Sequence, residues 1–71
     1  MSDKARVEKM LASYTGNKTL SKVEKMKRDP MNDNLLLVRT GMGDFLVDVS
    51  AGVYDGVEEV DGEKYFGPFG E

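Results

Sequence analysis

An α+β fold, with an N-terminal helix packed on a small antiparallel sheet of three to five strands, is predicted by three features of the sequence. Apolar residues near the N-terminus recur at helical spacing. From residue 35 onward they alternate at strand spacing. Short glycine-containing turns separate the alternating segments.

Ser2 to Tyr14 reads as the helix. Val7, Met10, Leu11 and Tyr14 fall at i, i+3, i+4 and i+7, on one face. Ser2 or Asp3 suits the N-cap, and Asp3 also suits the positive end of the helix dipole. Lys4 and Glu8 are spaced as an i,i+4 pair on the wet side. Gly16 stands where a residue with positive φ ends a helix.

Asn17 to Ser21 reads as a connector. Lys22 to Arg28 is ambiguous, since Leu20, Val23 and Met26 are spaced by three as on a helix. A strand is the preferred reading. The turn-forming cluster Asp29-Pro30-Met31-Asn32-Asp33-Asn34 follows, and Pro30 disfavours helical geometry at Asp29.

Leu35 to Thr40 and Asp44 to Val49 are the clearest strands, joined through Gly41-Met42-Gly43. The register that pairs Arg39 with Asp44, Val38 with Phe45 and Leu37 with Leu46 sets opposite charges across the strands. It also collects Leu36, Val38, Phe45, Val47 and Val49 on one face. The helix is expected to cover that face. The other face carries Leu35, Leu37, Arg39, Asp44, Leu46 and Asp48 and is half apolar.

Ser50 to Gly56 reads as a loop or short turn. Val57 to Val60 and Glu63 to Phe66 flank Asp61-Gly62, which suits a type I′ hairpin turn placing Glu59 opposite Lys64 and Val57 opposite Phe66. Gly67 to Glu71 reads as an extended tail. The expected core is Val7, Met10, Leu11, Tyr14, Leu36, Val38, Phe45, Val47 and Val49, with Val23, Val57 and Phe66 as additions.

With 71 residues the chain has room for one domain, taken as residues 1–71. A domain of this size has a thin stability margin. There is no Cys and no His, so no disulfide and no His/Cys metal site can support it. The first ten residues carry five charges and do not read as a signal peptide. The longest apolar run, Leu35 to Val38, is far too short to span a bilayer. A cytoplasmic location with no membrane association is expected.

The same composition argues against an enzyme. Imidazole general bases and thiolate nucleophiles are missing. None of Ser2, Ser13, Ser21 and Ser50 lies in a nucleophile-elbow sequence. Gly41-Met42-Gly43 lacks the third glycine of a dinucleotide fingerprint, and a strand follows it. Neither Asp55, Glu58, Glu59, Asp61 and Glu63 nor Asp29, Asn32, Asp33 and Asn34 has the alternating spacing of an EF-hand loop. No cofactor or metal is expected.

Charge is the remaining signal. Residues 1–40 hold nine Lys/Arg against five Asp/Glu, and residues 41–71 hold one Lys against eight Asp/Glu. The halves can attract each other within one fold, or present charged surfaces to partners. The acidic candidates are Asp55, Glu58, Glu59, Asp61 and Glu63. Gathered on one side they would present a negative field to a protein partner with a basic surface. Solubility is the simpler role for the same residues. The basic stretch Lys22, Lys25, Lys27 and Arg28 is a candidate for phosphate contacts, but no aromatic residue is interleaved to stack on bases.

Leu35, Leu37 and Leu46 form the other candidate surface. Left in water they would make an apolar patch that monomers usually avoid. A second copy or a target protein would cover it, or else the C-terminal hairpin or the Phe69 segment would do so within the monomer. In general profile the chain is similar to many small accessory and inhibitor proteins, including those of phages and mobile elements. The leading expectation is a non-catalytic protein-binding module, an inhibitor that uses an acidic surface to block a basic, nucleic-acid-binding surface. The alternatives are direct nucleic-acid binding through Lys22–Arg28, or a homodimeric or larger structural subunit.

Overall fold

The structure, a computed structural model, describes residues 2–62. The element order is α1 (Asp3–Thr15), β1 (Lys25–Asp29), β2 (Asn32–Thr40), β3 (Gly43–Asp48), α2 (Val53–Gly56) and β4 (Val57–Glu59). The four strands form an antiparallel sheet in the order β1-β2-β3-β4, with α1 packed on one face. This is the expected α+β arrangement.

Helix α1 begins as the sequence implies. Ser2 is the N-cap, and its Oγ accepts the Ala5 N–H at 3.2 Å. Gly16 ends the helix at φ 73°, where its N–H donates to the Ala12 carbonyl. A Cβ in that left-handed region is strained, which is why glycine stands there. Val7, Met10 and Leu11 are buried from α1. They meet Leu36, Val38, Phe45, Val47 and Val57 from the sheet. Each fully buried side chain of this kind is worth about 1.5–3 kcal/mol over its exposed state. Tyr14, Val23, Met26, Met42, Val49 and Val53 close the margins, with Tyr14 edge-on to Phe45 at a centroid distance of 6.4 Å.

The β2–β3 register pairs Arg39 with Asp44, Val38 with Phe45 and Leu37 with Leu46, as the alternation requires. Thr40 closes the turn: its Oγ1 accepts the Met42 N–H and donates to the Gly43 carbonyl. The ambiguous basic stretch is a strand, confined to Lys25–Asp29. Its partner β2 starts at Asn32, three residues before the expected Leu35. The turn is therefore Pro30-Met31 alone. Asp29 accepts the Met31 N–H through its carboxylate, which tightens the turn and frees Asn32 to pair with Asp29.

Two other expectations need correction. Asp61-Gly62 is not a type I′ turn, because among the described residues no non-glycine residue has a positive φ. Instead the Val60 N–H donates to the Asp44 carbonyl, so the chain follows β3 past the end of β4. Lys4 and Glu8 do not pair. The Glu8 carboxylate accepts the Val23 N–H at 2.8 Å and ties the connector to the helix. The expected strand Glu63 to Phe66, with its pairings of Lys64 and Phe66, and the tail beyond lie outside the described residues.

Candidate functional site

Among the described residues two edges bound the sheet, and they carry opposite charge. β1 is one edge, with Lys25, Lys27 and Arg28. β4 is the other, with Glu58 and Glu59, both exposed. Three strand spacings separate them, or about 14 Å. Asp55 in α2 and Asp61 just past β4 are exposed beside the acidic edge.

The register explains how one short strand displays both glutamates. Glu58 lies opposite Leu46 on the face away from α1, and Glu59 lies opposite Phe45 on the helix side. They leave the sheet in opposite directions. Because β4 has a neighbour on one side only among the described residues, both remain in water. Thus Asp55, Glu58, Glu59 and Asp61 gather at one end of the molecule as an edge rather than a flat face. Glu63 lies outside the described residues.

The cations of Lys22–Arg28 do not share a face. Lys22 lies in the connector, before β1 begins. Lys25 and Lys27 fall on the face away from α1, in register with Arg39 and Leu37. Arg28 falls on the other face, where its guanidinium pairs with Asp3 of α1 and donates to the Asp33 carbonyl.

Leu35, Leu37 and Leu46 do share the face away from α1, as their register dictates. Their exposures differ. Leu37 is fully buried, whereas Leu35 and Leu46 are half-buried. Only the latter two offer surface to a second copy. Beside them Arg39 and Asp44 form a two-pronged ion pair, Nε to Oδ1 at 2.9 Å and Nη2 to Oδ2 at 3.1 Å. The Arg39 hydrogen bond holds the Asp44 carboxyl below its ordinary value of 3.8; burial opposes this, and the Gly62 N–H adds to it. Asp48 is also lowered, because its carboxylate accepts the Ser50 hydroxyl and N–H. Both acids therefore serve local structure, and neither belongs to the exposed set at β4.

Among the described residues no three acidic side chains converge closely enough to hold a metal ion. No described helix is long and apolar enough to cross a membrane. Comparison with known proteins finds no matching family model, no similar curated protein and no similar solved structure.

Proposed function

We propose that the protein is a non-catalytic binding module whose acidic edge engages a basic surface on a protein partner. Asp55, Glu58, Glu59 and Asp61 carry the contact. The observation that supports this reading is the separation of charge across the sheet. Four exposed carboxylates stand at the β4 end, while Lys25, Lys27 and Arg28 stand on the opposite edge. At about 14 Å, beyond a Debye length of roughly 8 Å in physiological salt, the cations screen the acidic edge weakly. A negative field of this kind speeds encounter and fixes orientation. Blocking a partner's nucleic-acid-binding groove is one use it suits. The lack of His and Cys fits a role without covalent chemistry.

The test is a tagged pull-down from native lysate, with and without nuclease treatment, run with the wild type and with Glu58→Lys/Glu59→Lys/Asp61→Lys. A stoichiometric protein captured by the wild type and lost by the variant, with the variant's circular dichroism unchanged, is the expected result. Equal capture by both forms removes the acidic edge from the argument. Loss of the wild-type signal on nuclease treatment replaces the reading with nucleic-acid binding.

A further inference from the structure

Helix α1 has a second side that the core does not use. Ala5, Glu8 and Ala12 repeat at i, i+3 and i+7 beside the core stripe. The connector from Asn17 to Val23 runs past this side. Between the two lies a cleft of about 400 Å³. That is within the range of roughly 300–1,000 Å³ usual for small-ligand sites.

The walls of the cleft are ordered by bonds that leave its three lysines unpaired with carboxylates among the described residues. Asn17 Oδ1 accepts the Leu20 N–H at 3.0 Å, which builds the turn. Ser21, 1% exposed, donates from Oγ to the Asn17 carbonyl and lies 3.0 Å from Thr15 Oγ1 at the helix end. The Glu8 carboxylate holds the Val23 N–H. The connector is therefore pinned at both ends before any ligand arrives.

The lining has a distinct chemistry. Lys9, Lys18 and Lys22 rim the cleft, with Glu8 as its one acid among the described residues, Ser13 as a hydroxyl, and Ala5 and Ala12 as small apolar groups on either side of Glu8. Three lysines against one glutamate leave an excess of two positive charges. Among the described residues none of the three lysines is paired with a carboxylate. Arginine is missing from the rim, so there is no planar fork for a carboxylate. Lysine acts instead as a mobile point charge, a form in which it also binds phosphate. A phosphate monoester carries about −2 at pH 7, which matches the excess. The cleft is larger than a phosphate alone needs, and the methyls of Ala5 and Ala12, about two helical turns apart, offer apolar contacts for an organic group.

We propose that this cleft binds a small phosphorylated organic molecule of about the size of a nucleoside monophosphate. The phosphate sits among the ammonium groups of Lys9, Lys18 and Lys22, and the organic part lies on Ala5 and Ala12. The site is independent of the acidic edge and uses none of its residues.

The experiment is an amide NMR titration of the ¹⁵N-labelled protein with adenosine monophosphate, with inorganic phosphate and adenosine run alongside. Saturable shifts confined to the α1 flank and residues 17–23 are expected for the monophosphate, roughly tenfold tighter than for phosphate. Two variants separate a built site from loose charge attraction. Lys9→Ala/Lys18→Ala/Lys22→Ala should weaken binding by about tenfold or more. Ala12→Leu keeps every charge but fills the cleft, and should weaken the monophosphate while sparing phosphate. Each variant's own spectrum reports its fold. Shifts scattered over all lysines, equal affinity for phosphate and monophosphate, or an Ala12→Leu variant that binds like the wild type would each overturn the proposal.

Discussion

At Asp44 three interactions converge on one carboxylate. Arg39 supplies two hydrogen bonds, the Gly62 N–H a third, and partial burial removes competing water. The folded-state carboxyl is depressed below 3.8. A depressed acid contributes stability above its unfolded value and loses it as pH falls through the folded one. The contribution is therefore full at neutral pH and declines progressively as pH falls below about 4. Asp44→Asn keeps the shape but cannot ionise. It should be less stable by about 1–2 kcal/mol at pH 7, as expected for lost hydrogen bonds to charged groups. As the pH is lowered towards about 2 the wild type progressively loses the same interaction, so the difference should shrink. Urea denaturation at the two pH values measures this, and a gap of constant size would show that the ion pair does not titrate with folding.

At the scale of elements, the junction of α2 and β4 depends on a missing side chain. Gly56 is buried where the helix turn feeds the edge strand. A Cβ there would lie 2.6 Å from the Asp48 carbonyl oxygen and 3.1 Å from Met10 Cε. The carbonyl belongs to backbone at the end of β3 and cannot rotate away, so β4 must shift instead. Gly56→Ala should cost about 2 kcal/mol, in the range of overpacked sites, and lower the melting temperature by roughly 10 °C in a chain of this size. An unchanged melting curve would mean that β4 moves freely.

Much of this level was legible in the sequence. The β2–β3 register followed from alternation, because a slip by one residue would send Leu36, Val38, Phe45 and Val47 to the wrong face and part Arg39 from Asp44. The start of β2 was not legible. Asn32, Asp33 and Asn34 are turn formers by composition, yet Asp29 closes the turn early and Arg28 holds the Asp33 carbonyl. The connector was hidden for a related reason. Its order comes from bonds among Thr15, Asn17 and Ser21, which have no periodic signature. The acidic edge was readable as composition. That Asp55, Glu58, Glu59 and Asp61 flank a single edge required the pairing of β4 with β3.

At the scale of the whole molecule, the charge imbalance along the chain becomes a charge separation in space. A meander of four strands keeps sequence order in the sheet, so among the described residues the basic β1 and the acidic β4 lie on opposite edges. Had the strands crossed over, the same residues would have interleaved and cancelled. The field, rather than the net charge of −3, is then what a partner meets. Two variants with the same net charge test this. Glu58→Gln/Glu59→Gln empties the acidic edge, and Glu24→Gln/Asp33→Asn removes two exposed acids near β1. Each changes the net charge from −3 to −1. A charged resin binds a protein by its most favourable side. The edge variant should therefore elute distinctly earlier than its counterpart from an anion exchanger in a salt gradient. Coincident elution of the two would mean that retention follows net charge alone, and that the acidic edge presents no field of its own to a basic surface.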